Sequence, residues 1–339
     1  LQRGLLSLVR QAYKEKRRLI APLIGFPGIN IVGSTIKLAQ QNFKEHYKVL
    51  KSITEIFKPD VIFPLMDLSV EANALGCLTV FPKEESATVI KDKFALSDIE
   101  KLENIDIAYD SRVLAYVQTI KLLKKNISPR ILKGAYVTGP YTLAALMMGA
   151  EEAAFSVILK PDELDKLCEF TTRKIIDYIN LLIAAGTRLI CILEPSAVML
   201  APEQFELFSV KYVKSISAHC NDLDVSTIYH ICGNTMHLVE KMSESGVDAL
   251  SLDSSEAGVN IQAVARLISE DIILIGNVSP IGFILRGRPE EVKEEVIELL
   301  RDMEPYPNFI LSTGCDLPQE TPIENILAFM DAGRNYHCV

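Results

Sequence analysis

Short apolar runs recur along the chain between longer stretches of helical periodicity. They lie near residues 20, 61, 132, 188, 226, 249, 272 and 309. The punctuation that closes them is turn-forming or polar: Pro27-Gly28, Asp67, Thr138-Gly139-Pro140, Glu194-Pro195, Gly233-Asn234, Asp253 and Gly276-Asn277. Unbroken apolar runs of this length, bounded by turn signals, predict strands buried on both faces. Between them the spacing predicts helices from Thr35 to Phe57, Asp110 to Lys125, Tyr141 through Pro161 to Ala185, and Pro202 to His219. Further helices are predicted at Met236 to Glu244, Ile261 to Ser269, Pro289 to Met303 and Pro322 to Gly333, with Gly333 as C-cap. A lead-in helix from Leu5 to Arg17 precedes the first run.

Eight strands, each followed by a helix, imply a parallel sheet with helices outside, and the count fits an α/β fold of the (β/α)8 TIM-barrel type. An open doubly wound sheet would place a phosphate turn after the first strand. Gly25-Phe26-Pro27-Gly28 does not match that G-x-G-x-x-G pattern. No repeat or low-complexity linker divides the chain. A single domain over residues 1–339 is expected, with a surface excursion near 80–100 where Pro82 and mixed charge interrupt the periodicity.

Composition narrows the partners. Hydrophobic residues make up 49% and charged residues 23%, enough for a large core. The formal net charge of -9 argues against nucleic acid, whose phosphates need a basic surface. Seven scattered cysteines read as free thiols in a reducing compartment. No apolar run reaches membrane-spanning length and no signal-peptide pattern opens the sequence, so a cytoplasmic protein without a membrane partner is expected.

Chemistry collects at the strand ends, where a TIM barrel builds its active site. The series is Asp67, Thr138, Glu194, His230 with Cys232, Asp253, Asn277 and Cys315. His230 and Cys232 are two apart on one strand, so they share a face. Imidazole and thiol are both zinc ligands, and Cys315 in Ser312-Thr313-Gly314-Cys315-Asp316 offers a third. Three protein ligands with an open fourth position suit catalytic zinc. Pattern alone leaves core packing equally open. Asp67 with Glu71 also suits a helix N-terminus, Glu194 a cap, and Asp253 and Asn277 turns. Tyr229 points to the opposite face from His230. His46, His219, His237 and His337 read as surface or helix-end residues, and Arg286 with Arg288 as a solvated loop pair.

Several stretches together resemble a known family. They are Asp67-Leu68-Ser69-Val70-Glu71, His230-x-Cys232-Gly233-Asn234, Gly276-Asn277-Val278-Ser279-Pro280, Gly287-x-Pro289-Glu290-Glu291-Val292, and Ser312-Thr313-Gly314-Cys315-Asp316-Leu317-Pro318 with Thr321-Pro322. This is similar to the uroporphyrinogen decarboxylase superfamily, in its corrinoid-dependent methyltransferase branch. That branch includes methylcobamide:coenzyme M methyltransferases and phenyl methyl ether demethylating methyltransferases. The resemblance covers nearly the whole chain. It implies a uroporphyrinogen decarboxylase-like TIM barrel, with His230, Cys232 and Cys315 as zinc ligands. Asp253, Glu194 and Glu256 are candidates for a fourth ligand, Asp253 first. Asp67, Glu194 and Asn277 are the candidate catalytic residues. It further implies a corrinoid (methylcobalamin or cob(I)alamin) supplied by a partner corrinoid protein. The small substrate at zinc would be a thiol acceptor such as coenzyme M, or a methyl ether or methanol donor (O-demethylation). The decarboxylases carry an arginine-rich motif after the first strand, and Gly25-Phe26-Pro27-Gly28-Ile29-Asn30-Ile31 has no arginine. A decarboxylase or tetrapyrrole-binding barrel is therefore the alternative.

Overall fold

Alternate side chains of a strand point to opposite faces, and here both faces are apolar. Leu189, Cys191 and Leu193 fall in one buried cluster; Ile190 and Ile192 fall in another. A sheet with two buried faces needs a helical layer outside and a filled interior inside, which is the arrangement seen. The computed structural model describes residues 4–90 and 99–338. Part of the excursion near 80–100 lies outside the described residues. The rest of it carries the antiparallel hairpin β2 (Thr79–Val80) and β3 (Thr88–Val89).

The main sheet has seven strands: β1 (Val61–Ile62), β4 (Leu132–Thr138), β5 (Leu189–Leu193), β6 (Ser226–Ile231), β7 (Ala249–Leu252), β8 (Ile273–Val278) and β9 (Phe309–Thr313). They lie in chain order, every neighbouring pair parallel. The fold is TIM-barrel-like. The run near residue 20 forms a parallel bridge, Ile20 to Leu311, rather than a strand. Pro22 explains this, because it has no N–H to give a ladder. The backbone still binds on both sides: Ala21 N donates to Leu311 O at 2.8 Å, and Asp60 N donates to Ile20 O at 2.9 Å. Pro64 likewise stops β1 early.

The interior of the curl holds Leu19, Ala21, Phe63, Tyr136, Ile228, Ala249, Ile275 and Ile310. Helix α1 (Leu5–Lys14) plugs its N-terminal end with Leu5, Val9 and Ala12. Burying such side chains is worth roughly 1.5–3 kcal/mol each for Leu or Val, so α1 is held by packing.

Some predicted boundaries move. The helix expected from Thr35 to Phe57 is two, Ile36–Gln41 and Phe43–Ile56. Between them the Asn42 side chain accepts from Lys44 N and Glu45 N. Pro27-Gly28, expected as a turn, opens a short helix, Pro27–Val32. The long stretch to Ala185 is three helices, Pro140–Met148, Ala150–Leu159 and Pro161–Ala185. Gly333 is not a C-cap. It lies inside the helix Ile323–Asn335, where a Cβ would come within 2.7 Å of Leu311 and 2.8 Å of Ile20. His46 is buried rather than on the surface: its Nε2 accepts from Leu65 N at 2.9 Å. No single helix among the described residues is long and apolar enough to cross a membrane.

Candidate metal centre

The C-terminal end of the sheet is polar. β6 and β7 pair His230 with Ser251 in register, and the His230 Nδ1 lies 3.0 Å from Ser251 Oγ. The other ring nitrogen, Nε2, lies 3.1 Å from Cys232 Sγ. Cys315, on the loop after β9, completes a triangle: its sulfur is 3.2 Å from Cys232 Sγ and 3.9 Å from His230 Nε2. All three donor atoms lie within 4.8 Å of one another. His230 is buried, and both thiols are half-buried.

These edges, 3.1, 3.2 and 3.9 Å, bracket the spacing a shared metal would impose, two slightly short and one slightly long. Zinc bonds of about 2.0–2.3 Å in tetrahedral array put neighbouring ligand atoms roughly 3.3–3.8 Å apart. The donor set, one imidazole and two thiols, is that of a three-ligand zinc site. The hydrogen bond to Cys232, then burial, push the Cys315 thiol well up. A thiolate there would be stabilised by a neighbouring cation, such as a bound dication.

Asp253 is not among the three mutually close donors, and its carboxylate lies against the Cys232 loop. Its carboxylate is taken up by the loops on either side. Oδ2 accepts from Gly233 N at 2.7 Å and Oδ1 from Ser254 N at 2.6 Å. Gly314, next to Cys315, is pressed against the same turn: a Cβ there would lie 2.5 Å from Ser254 N and 3.0 Å from Asp253 Oδ1. The carboxylate thus bonds the Cys232 loop, and the Cys315 loop packs against the same turn. Asn277 braces it in turn, its Nδ2 donating to Asp253 O at 2.9 Å and Val259 O at 3.2 Å. Glu256 accepts from Ser279 Oγ at 2.6 Å and stands apart from the converging donors.

The remaining strand-end acids have their own partners. Asp67 forms a buried ion pair with Arg112 and accepts from Ser69 N, Ser69 Oγ and Tyr116 Oη. Glu194 accepts from Thr142 N and Tyr141 N at the start of the helix Pro140–Met148, and from Ser209 Oγ at 2.9 Å. Burial pushes its carboxyl up to about 7 against those donors. Tyr229 faces outward, stacked on Phe205 and bonded to Ser209. Ser251 and Arg112 went unread in the sequence. Ser251 sits two residues before Asp253 on its strand, the same period-two signal that linked His230 to Cys232. Arg112 arrives from a helix, with no local signal.

Glu71 gives a pH prediction. It is buried and accepts from Thr138 N at 2.7 Å and Thr138 Oγ1 at 2.9 Å. Burial raises its carboxyl from 4.5 to about 7. The native state therefore holds this proton more tightly than the unfolded chain. That contribution to stability is fully present below about pH 4.5 and is lost as pH rises through 7. Glu71→Gln is expected to remove about 2–3 kcal/mol of this pH dependence. Urea denaturation of both proteins from pH 5 to pH 8 reads it, and parallel curves would refute it.

The sequence model of the family described as Uroporphyrinogen decarboxylase (URO-D) matches residues 31–336. The chain is 28% identical over 275 residues to the methylcobamide:CoM methyltransferase MtbA of Methanosarcina acetivorans, covering 80% of this chain and 78% of that protein. It is 27% identical over 304 residues to a uroporphyrinogen decarboxylase of Prochlorococcus marinus, covering 87% of this chain and 85% of that one. A solved methyltransferase from Methanosarcina mazei superposes with a TM-score of 0.87 at 23% identity, covering 97% of this chain and 96% of that one. At that identity the likeness carries the fold.

Proposed function

The chain belongs to the uroporphyrinogen decarboxylase family, and from that membership we propose that it is a zinc-dependent methyltransferase. It moves a methyl group between a corrinoid on a separate partner protein and a small substrate held at His230, Cys232 and Cys315. The observation that carries this reading is the convergence of one imidazole and two thiols within 4.8 Å at the C-terminal end of the sheet. The resemblance of the chain to methylcobamide:CoM methyltransferases supports it. So does the stretch from Gly25 to Ile31, which offers a porphyrinogen carboxylate no guanidinium. The segment at Ile20 serves as the eighth stave, closing the sheet between β9 and β1 within one domain.

Zinc bound there would deprotonate a coordinated thiol, or polarise the oxygen of a methyl ether or alcohol. The protein's part is positioning. With Nε2 on the metal, Nδ1 of His230 would carry the proton and donate to Ser251 Oγ, 3.0 Å away. Asp253 bonds the Cys232 loop, the Cys315 loop packs against the Asp253–Ser254 turn, and Asn277 holds the Asp253 backbone. Glu194 and Asp67 hold the neighbouring strand ends by their hydrogen bonds.

Ser251→Ala is expected to weaken zinc binding by about 10–100-fold, the usual cost of removing the group that orients a metal-bound histidine. Competition against a chromogenic chelator measures it, and an unchanged affinity would remove Ser251 from this role. The function itself is tested with methylcobalamin and cob(I)alamin against a panel of thiols, methyl ethers and methanol. Transfer to or from at least one of them is expected. A protein that instead decarboxylates uroporphyrinogen with both thiols replaced by Ala would belong with its decarboxylase relatives.

A further inference from the structure

A cavity of about 690 Å³ opens at the other end of the sheet, beside α1. It is lined by the N-terminal ends of β4, β5 and β6, so the curl and its plug separate it from His230, Cys232 and Cys315. The volume is that of an ordinary small-molecule site.

Its charges do not balance among the described residues. Arg130, Lys133 and Arg188 all line it. Among the described residues none of the three pairs with a carboxylate. Lys133 Nζ donates to Ser128 O, and Arg188 Nη1 donates to Thr187 O at 2.8 Å. Two of the three lining carboxylates are already engaged: Asp60 accepts from Ile20 N at 2.8 Å, and Asp248 accepts from Thr227 N at 2.7 Å. The fourth lining cation, Arg17, faces Glu15 at 3.3 Å. This leaves three spare cations against Asp224 in a protein of net charge -9. Lys133 is further pressed by burial and by Lys124, both of which push its ammonium down. An anion at this place would relieve that pressure. Leu8, Leu132 and Leu189 give the wall an apolar part, beside the uncharged polar Gln11, Asn221 and Ser226.

We propose that this cavity is a second binding site, for a small organic anion. Its carboxylate or phosphate head is held by Arg130, Lys133 and Arg188, and its apolar body lies on Leu8, Leu132 and Leu189. Guanidinium groups grip such heads through paired N–H donors, and a lysine adds a point charge. The site does not depend on the metal centre.

Isothermal titration of the purified protein with phenyl phosphate and with benzoate tests this. Saturable binding of at least one probe is expected at millimolar concentration. Lys133→Gln/Arg188→Gln should weaken it about tenfold or more, since two charge-assisted contacts are lost. Arg130→Gln, at an exposed position, should weaken it in the same direction. Circular dichroism verifies that each variant is folded. Absence of binding by the unaltered protein, or equal binding by the folded variants, would overturn the proposal.

Discussion

Cys315→Ala protein is expected to bind zinc at least about 100-fold more weakly than the unaltered protein, and to lose methyl transfer with it. Structural zinc sites bind with about 10–16 kcal/mol over four ligands, so one thiolate stands for roughly 3 kcal/mol, about two orders of magnitude. The position makes the test clean. Cys315 lies on a loop, half-buried, and among the described residues its sulfur has hydrogen-bonding contacts only with Cys232 and His230. Its removal leaves no large cavity in the main core. Zinc affinity by chelator competition and thermal unfolding of the metal-free proteins separate the two effects. Affinity should fall while the metal-free melting temperature stays within a few degrees. Unchanged zinc affinity would take Cys315 out of the site.

Arg112→Ala carries the largest expected loss of stability. The side chains of Arg112 and Asp67 are 5% and 0% exposed. Arg112 also donates to Ser69 Oγ at 2.9 Å. Removing one partner of a buried pair leaves the other charge uncompensated, at about 3–5 kcal/mol. Asp67 keeps its bonds from Ser69 and Tyr116, which moderates the loss without cancelling it. Urea denaturation measures the difference. Adding Asp67→Asn to the Arg112→Ala protein should recover part of it, because the stranded charge is then gone. A loss below about 1 kcal/mol would mean that water reaches Asp67 in the variant.

How much of this was legible in the sequence depended on whether the signal was local. The parallel strands read well because each is a short apolar run closed by turn residues. The two shortfalls have a stated cause. Pro22 and Pro64 interrupt the hydrogen-bonding ladder without changing the apolar pattern, so Ile20 reduces to a bridge and β1 to two residues. Helix breaks at Asn42 and Gly149 were also invisible to periodicity, because the apolar stripe resumes after them. At the metal centre, His230 and Cys232 were visible through period two, and Cys315 through its Gly-flanked strand end. Asp253 illustrates the limit. A carboxylate at a strand end next to the histidine's strand has the chemistry of a fourth ligand. Only the fold reveals that it also accepts from Gly233 N and Ser254 N, one bond to each oxygen. Arg112 could not have been placed at all, since its partner lies 45 positions away.

The most direct test of the central claim is methyl transfer from methylcobalamin, measured on chelator-stripped protein as zinc is added back. The account predicts that stripped protein stays folded and inactive, and that activity rises linearly to a break at about one zinc per chain, as a single three-ligand site requires. Folded, zinc-free protein that still moves the methyl group at the full rate would contradict it.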